Sequence, residues 1–322
     1  MTMEFEGPEK KLEIILSEPD PNLRLNADKK WNSVVDASGA EIVSSISSPE
    51  MDAYLLSESS LFVWDDRVLM ITCGKTTLVK AVPELIQTIK NDRIAFFFYE
   101  RKNLMYPQAQ SSDFETDVAE LTKHFTGKSY RLGPANHDHV HIFYASAPAD
   151  AKGLIPEAEE DETLELLMHD LDPQVLKAFI PGPGEKPEDI EARTGINRLY
   201  PDMVSDSFVF EPYGYSMNRI SGEYYATIHV TPEETGSYAS FETNVAESDY
   251  HEKINQIMEI FKPGRFTMVF TEAISETNPG EGKLPRQITG YRRPEKSIYE
   301  FDSGYAVFFS NWTNSGNSGT VY

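Results

Sequence analysis

The sequence is poor in cysteine and has no long apolar run. One cysteine, Cys73, occurs among the 322 residues, so no disulfide can form within the chain. No stretch approaches the roughly 18 consecutive apolar residues that a membrane-spanning helix needs. The first residues also show no basic segment followed by an apolar one. We therefore expect a cytoplasmic protein with reduced thiols and no membrane partner.

Positive charge is scarce as well. The chain has 29 lysines and arginines against 52 aspartates and glutamates, a formal net charge of −23 at pH 7. Such a field repels the phosphates of nucleic acids, so we expect no nucleic-acid partner. With 40% hydrophobic and 25% charged residues, the composition is that of a globular protein.

Short segments rich in β-branched and aromatic residues recur along the chain and predict strands. These segments are Leu12–Ser17, Ala53–Leu56, Arg67–Thr72, Ile94–Tyr99, His139–Tyr144, Tyr224–Thr231, Tyr238–Thr243, Phe266–Thr271 and Tyr305–Ser310. Apolar residues at helical spacing predict helices over Thr76–Lys90, Phe114–Phe125 and His251–Phe261. No long linker separates these segments, so we expect one α+β domain over residues 1–322, with helices on the outer faces of large antiparallel sheets.

A few segments combine residues that could carry chemistry. Leu55–Val63 (LLSESSLFV) reads as two apolar strands around a polar turn, and Cys73 follows in Thr-Cys-Gly. Much later come FEPYGYSMN at 210–218 and TIHVTPE at 227–233. Each segment alone would fit an ordinary turn or strand.

Together these segments resemble the eukaryotic-type S-adenosylmethionine decarboxylases of polyamine biosynthesis. Eight motifs occur in the family's order and span nearly the whole chain. They are FEGPEKKLE at 5–13, YLLSESSLF at 54–62, ITCGKTTL at 71–78, FFYERKN at 97–103, TLELLMHDLD at 163–172, GYSMN at 214–218, TIHVTPEE at 227–234 and SYASFETN at 237–244. The resemblance implies a four-layer α/β/β/α sandwich with two large antiparallel sheets. It also implies an internal duplication, although no repeat is visible in the sequence.

The resemblance further implies that the protein makes its own cofactor. Removing CO₂ from an α-amino acid requires a carbonyl that accepts the electrons left behind. In the family, a serine attacks the preceding peptide carbonyl, the chain splits and the serine becomes a pyruvoyl group. Here that residue would be Ser59. Cleavage at Glu58–Ser59 would give a small β chain (residues 1–58) and a large α chain (residues 59–322), which stay associated.

The implied reaction converts S-adenosylmethionine into the aminopropyl donor for spermidine and spermine. Self-cleavage needs a donor for the developing oxyanion and a base for the α-proton, and the family motifs assign these to Ser216 and His229. Cys73 matches the proton donor of the decarboxylation. Glu6 and Glu9 match acids placed near the reaction centre.

Substrate contacts follow from the same motifs. Phe5 and Phe210 match the two rings that sandwich the adenine, an arrangement that also suits a cationic sulfonium ligand. Glu233 matches the carboxylate that binds the ribose hydroxyls. Glu58 and the backbone of Leu56 match positions at the adenine edge.

A second set of residues matches an acidic cluster that binds the activator putrescine in animal-type members. Its members are Glu13, Asp161, Thr163, Glu165 and Glu242, with Phe98 as an aromatic neighbour. Buried carboxylates repel one another unless protons or cations neutralise them, and plant-type members use basic side chains instead. Lys11 occupies a position where plant-type chains carry arginine, whereas Ile71 replaces a usual lysine. Putrescine activation therefore remains open at this point.

Several alternatives also remain open. A pyruvoyl decarboxylase of another amino acid would not need Phe5, Phe210 and Glu233. A regulatory paralogue that activates a partner decarboxylase could dispense with Ser59. The family contains both monomers and homodimers. Tyr213 stands where family members usually have cysteine.

A run of three alternating histidines is the remaining candidate for a metal site. His137, His139 and His141 lie on one face of a predicted strand. Because no second pair of ligands accompanies them, we expect no metal.

Overall fold

The chain forms two eight-stranded sheets. The structure is a computed structural model that describes residues 5–25, 27–146, 161–212, 214–233, 235–274, 280–302 and 304–316. The strands of the first sheet are β1 (Lys10–Leu16), β2 (Ile42–Ser47), β3 (Met51–Leu56), β4 (Ser59–Trp64), β5 (Arg67–Thr72), β6 (Ile94–Lys102), β7 (Lys128–Leu132) and β8 (Val140–Ser146). Those of the second are β9 (Glu162–Leu171), β10 (Val204–Val209), β11 (Tyr215–Ser221), β12 (Tyr224–Thr231), β13 (Tyr238–Thr243), β14 (Pro263–Ala273), β15 (Tyr291–Glu300) and β16 (Tyr305–Asn314).

The two sheets share one topology. The first has the order β2-β3-β4-β5-β1-β6-β8-β7, and the second has β10-β11-β12-β13-β9-β14-β16-β15. Adding eight to each strand number of the first sheet reproduces the second. All neighbouring strands are antiparallel. The structure therefore reveals the duplication that the sequence does not display.

Helices cover the outer face of each sheet. They are α1 (Ala27–Ser38), α2 (Val82–Ile89), α3 (Phe114–Leu121), α4 (Pro173–Ala178), α5 (Pro187–Thr194), α6 (His251–Phe261) and α7 (Gly280–Lys283). One apolar cluster joins α1, α2 and α3 to the first sheet, and another joins α4, α5 and α6 to the second. Two further clusters lie between the sheets. The expected four-layer α/β/β/α sandwich is confirmed.

Strand position in the sheet explains the sequence pattern. The interior strand β3, next to the edge strand β2, is buried along its whole length because both faces are covered, and its sequence is a nearly continuous apolar run. The edge strand β15 alternates between half-buried and exposed residues.

The helix predicted over residues 76–90 is shorter in the structure. Residues 78–81 form a 3₁₀ turn, and α2 begins at Val82 with Pro83 in its first turn.

The helices of the described ranges are short. None of them is long and apolar enough to cross a membrane.

Candidate active site

The turn between β3 and β4 holds Ser59 in an unusual conformation. Ser57 and Glu58 form the turn, and Ser59 faces Leu56 across it. The φ angle of Ser59 is 125°, a region that L-residues other than glycine rarely adopt and that costs about 1–3 kcal/mol. Ser59 is buried, and its Oγ has no hydrogen-bond partner among the described residues. The structure thus stores backbone strain at the peptide bond that sequence analysis marks for cleavage.

Cys73, which follows β5, contacts the carbonyl that precedes Ser59. Its backbone N–H donates to the Glu58 oxygen at 3.0 Å, and its Sγ lies 3.7 Å from the same oxygen. The next residue, Gly74, has a φ of 60°, and a Cβ there would lie 2.3 Å from Glu58 Oε2. Glycine suits this position because its left-handed backbone conformation would strain any residue with a Cβ.

Ser216 on β11 and His229 on β12 face each other directly. His229 Nδ1 lies 2.9 Å from Ser216 Oγ, and Nε2 lies 2.9 Å from Thr227 Oγ1 and 3.3 Å from Ser60 Oγ. Ser60 and Thr227 both donate to Asn218 Oδ1, at 2.6 and 2.9 Å. These contacts hold both ring nitrogens of the imidazole in a fixed orientation.

Sequence analysis did not select Ser60, Asn218 or Thr227. Their signal is the alternation of the strands, because Ser216 and Asn218 share one face of β11 while Thr227 and His229 share one face of β12. All five residues are buried. Small polar residues at alternate positions of otherwise apolar strands could have indicated a shared network.

Burial sets the protonation of these groups. It lowers the pKa of His229 to about 3, so the imidazole is neutral at pH 7. Burial, with help from the Glu58 and Glu9 carboxylates, raises the pKa of the Cys73 thiol well above its usual range. Burial also raises the pKa of Glu58 to about 7, although Lys10 opposes that shift. The site thus combines a neutral base with a thiol that keeps its proton.

A cavity of about 190 Å³ opens beside these groups. The predicted residues that line it are Phe5, Glu58, Ser59, Cys73, Phe210, Ser216, His229 and Glu233. Residues separated by up to 228 positions in the chain thus line one cavity. The side chain of Leu56 is fully buried in the first sheet's core, and the contact expected from its backbone stays a prediction.

The two amino-terminal acids do not line the cavity. Both carboxylate oxygens of Glu6 accept backbone N–H groups, from Met105 and from Tyr106, each at 2.7 Å. Glu9 accepts a hydrogen bond from Ser240 at 2.6 Å, and Ser240 pairs with His229 across β12 and β13. Glu6 therefore holds a loop in place, and Glu9 acts on the site through its charge and through its hydrogen bond to Ser240.

A family model for adenosylmethionine decarboxylase matches residues 2–313. The chain belongs to this family. The S-adenosylmethionine decarboxylase proenzyme of Dictyostelium discoideum is 36% identical over 327 residues, covering 96% of this chain and 85% of that protein. The proenzyme of Drosophila melanogaster is 35% identical over 340 residues, covering 98% of this chain and 97% of the relative.

A solved structure of the family has the same fold. The Trypanosoma brucei AdoMetDC-delta26 monomer superimposes with a TM-score of 0.63 at 26% identity, covering 79% of this chain and 98% of that one. This member of the adenosylmethionine decarboxylase family therefore keeps the family architecture.

The acidic cluster predicted from the family motifs lies between the two sheets. Lys11 donates to Glu165 and lies 3.4 Å from Glu242. Arg67 lies 3.1 Å from Glu13 and 2.7 Å from Asp161. Two cations of the chain thus lie among four carboxylates.

The remaining space in the acidic cluster is small. A cavity of about 20 Å³ is lined by Lys11, Phe98, Thr163 and their neighbours. Burial alone would lower the pKa of Lys11, but the carboxylates of Glu242 and other neighbours raise it above its usual value. Ile71, which stands where the family resemblance implies a lysine, pairs with Lys11 across the adjacent strand. The strand neighbour of Lys11 is therefore apolar.

Two of the three alternating histidines, His139 and His141, pack in a group of rings. His141 stacks on Phe114 with ring centroids 4.6 Å apart, and His139 packs edge-on against it. Within the described ranges, no group of three or more histidine, cysteine, aspartate or glutamate side chains is arranged to hold a metal ion. Tyr213 lies outside the described residues.

Proposed function

We propose that this chain cleaves itself between Glu58 and Ser59 and then decarboxylates S-adenosylmethionine for spermidine and spermine synthesis. The observation that carries the proposal is the strained, buried Ser59, whose preceding carbonyl contacts Cys73 and whose cavity contains the neutral His229. Membership of the decarboxylase family supports the same reaction.

The proposed cleavage uses groups already present in the chain. Ser59 Oγ loses its proton as it attacks the Glu58 carbonyl carbon. The backbone N–H of Cys73 and the hydroxyl of Ser216, the donor implied by the family motifs, stabilise the developing charge on the oxygen. The peptide C–N bond breaks, the Ser59 nitrogen takes a proton, and an ester joins Glu58 to Ser59 Oγ. His229 then takes the α-proton of Ser59, and breakage of the Cβ–Oγ bond releases the Glu58 carboxylate. Addition of water and loss of ammonia leave the pyruvoyl group at the new amino terminus.

The residues present fit a pyruvoyl group at position 59. Ser59 is 2% exposed, and its Oγ forms no hydrogen bond of normal length to the described residues that would tie it down when the side chain is converted. A pyruvoyl group supplies a carbonyl that accepts the electrons released when CO₂ departs. Cys73 holds a proton beside this position at neutral pH, as a proton donor must.

The cavity also offers suitable substrate contacts. Phe5 and Phe210 present aromatic rings for an adenine and a sulfonium cation. Glu233, on the same wall, is available to accept hydrogen bonds from ribose hydroxyls. A small amino acid such as ornithine would leave these groups unused, which disfavours the alternative substrate class.

The two proposed chains would remain together after cleavage. Residues 1–58 contain β1, β2 and β3, and β1 lies in the middle of the first sheet between β5 and β6. Separation would break the ladders of β1 with both neighbours and that of β3 with β4. The small chain is therefore an integral part of the fold.

We also propose that the acidic cluster works without putrescine. Lys11 and Arg67 supply positive charge where a diamine would otherwise be needed. Activity with and without added putrescine tests this point, and stimulation by the diamine would contradict it.

The main test combines denaturing electrophoresis, mass spectrometry and a CO₂-release assay of the purified protein. We expect two chains that separate only on denaturation, a pyruvoyl group at the start of the larger one, and CO₂ from S-adenosylmethionine but not from ornithine or arginine. Ser59→Ala should remain a single inactive chain. An uncleaved natural chain with an intact Ser59 would contradict the proposal and would favour a regulatory paralogue.

A further inference from the structure

Lys10 binds the loop that carries Cys73. Its ammonium group donates to the backbone oxygens of Gly74, at 3.1 Å, and Thr76, at 2.8 Å. Thr76 Oγ1 donates in turn to the backbone oxygen of Cys73 at 2.5 Å. Residues 73–76, which we call the Cys73 loop, are thus tied to the central strand β1 through one side chain.

The position of Lys10 is costly for a charged group. The residue is 2% exposed, and burial followed by the nearby Arg101 lowers its pKa to about 8. Among the described residues it forms no ion pair within 4.0 Å. Its positive charge is therefore not neutralised by a contacting carboxylate and acts on the groups around it.

Those groups belong to the cleavage site. Lys10 lowers the pKa of Cys73 and of Glu58, whereas the Glu9 and Glu58 carboxylates raise that of Cys73. The other charged groups that face Lys10 are Arg101 on β6, Asp117 on α3 and Glu6 before β1. Of the two cations, Lys10 and Arg101, Lys10 is the one whose ammonium group also donates to the backbone of the Cys73 loop.

We propose that Lys10 is a positioning residue that holds the Cys73 loop against the Glu58 carbonyl and favours negative charge at this end of the cavity. Its two hydrogen bonds fix the loop from which the Cys73 N–H reaches the carbonyl oxygen. Its charge acts in the same direction on the developing oxyanion and on the thiol. The effect on cleavage rests on the proposed function, whereas the effect on the thiol does not.

The single cysteine makes the thiol directly measurable. In the Ser59→Ala background, the rate of alkylation by iodoacetamide as a function of pH reports Cys73 alone, since no other thiol exists. Lys10→Met should move the midpoint of this profile upward by roughly half to one pH unit, because a nearby positive charge is lost. Lys10→Arg should keep the midpoint near that of the parent.

A matched control separates this effect from general damage to the sheet. Lys102 is also a buried lysine, at the end of β6, but it contacts Asp138 rather than the Cys73 loop. Lys102→Met should leave the alkylation midpoint unchanged. If Lys10→Met fails to fold, Lys10→Gln provides the same loss of charge while keeping a hydrogen-bond donor.

Self-cleavage provides the second measurement. With Ser59 restored, Lys10→Met should slow the appearance of the two chains roughly tenfold, and Lys10→Arg should recover part of the rate. An unchanged midpoint, or an equal shift in Lys102→Met, would overturn the proposal even if cleavage is normal. Absence of cleavage in the natural chain would instead contradict the proposed function and leave the alkylation result meaningful.

Discussion

The two halves of the molecule contain equivalent hairpins with different contents. The β3–β4 hairpin turns at Ser57–Glu58, with Leu56 facing Ser59, and the β11–β12 hairpin turns at Gly222–Glu223, with Ser221 facing Tyr224. In the second turn the positive φ belongs to Gly222, at 61°, where it costs little. In the first, Ser59 itself has the positive φ. The duplicated turn is therefore relaxed in one copy and strained in the other.

Residues at matching distances from the two turns also differ in polarity. The polar network consists of Ser60, Ser216, Asn218, Thr227 and His229. The counterpart of each residue in the opposite hairpin is, in the same order, Tyr225, Met51, Ala53, Phe62 and Trp64. All five of these belong to one apolar cluster between the sheets. The duplication thus places two comparable spaces in the fold, and side chains make one a polar site and fill the other with aromatic rings.

The aromatic copy also clarifies the geometry of the polar one. Trp64, the counterpart of His229, donates its indole N–H to the backbone oxygen of Glu223, the counterpart of Glu58, at 3.0 Å. Phe62 and Tyr225 pack with ring centroids 4.5 Å apart. The position of His229 is therefore one that faces a hairpin turn in both halves, as the proposed base must.

Replacing the base should have the largest effect. We expect His229→Ala to slow self-cleavage roughly 10²- to 10⁴-fold, because no other group replaces its role in removing the Ser59 α-proton. The accumulation of the two chains over time, followed by denaturing electrophoresis, measures the effect. Cleavage at the parent rate would show that His229 is not the base.

Truncating its aromatic counterpart should affect stability instead. Trp64 is 7% exposed, and Trp64→Ala should lower the free energy of unfolding by about 3–5 kcal/mol, because it leaves a cavity between the sheets. Urea unfolding measures the loss, and Trp64→Phe should lose less. The folded fraction should still cleave at the parent rate. Slow cleavage in fully folded Trp64→Phe would show that the two hairpins are not functionally separate.

A milder change tests the polar network. Thr227→Val preserves shape but removes the hydroxyl 2.9 Å from His229 Nε2, so we expect cleavage to slow roughly tenfold through poorer orientation of the ring. Thr243→Val is a matched control, because this buried strand threonine bonds the Tyr225 backbone oxygen instead. Equal slowing in the two variants would mean that the network around His229 is not specific.

The last prediction concerns the pH dependence of stability, which should differ between two carboxyls at equivalent positions. Glu9 accepts the Lys102 N–H at the end of β6, and Asp161 accepts the Ala273 N–H at the end of β14, each through its backbone oxygen. Burial raises the pKa of Glu9 from 4.5 to about 8. Burial would raise that of Asp161 too, but the Arg67 guanidinium holds it below its usual value.

The opposite shifts predict opposite dependences on pH. Between pH 4.5 and 8, folded Glu9 binds a proton that the unfolded chain lacks, so the free energy of unfolding should fall as the pH rises. Glu9→Gln should remove roughly 1–3 kcal/mol of this decline, measured by urea unfolding at pH 5.5 and 8. Asp161 stabilises the fold above its unfolded pKa and loses that contribution in acid, so Asp161→Asn should be destabilised at both pH values. A Glu9→Gln variant with the parent's slope would contradict the raised pKa.

Sequence reasoning succeeded where neighbouring residues determine structure. All nine predicted strands and the helix at 251–261 are present, because alternation and helical spacing follow from local geometry. The prediction missed β2, β7, β9, β10, β11 and β15. In β9 the apolar run is interrupted by Glu165. That glutamate is buried because Lys11, 154 residues earlier, lies beside it, and no local pattern contains this information.

The adjacent lysines of β1 show the same division. Lysines are mostly exposed in folded proteins, yet both of these are buried. Strand alternation directs Lys10 toward the Cys73 loop and Lys11 toward the acidic cluster between the sheets. The sequence alone therefore predicted the candidate reactive residues, the family and the strand-rich class. Only the tertiary structure decided which carboxylates each cation meets and which of two duplicated hairpins holds the polar site, because both depend on strand pairing between distant parts of the chain.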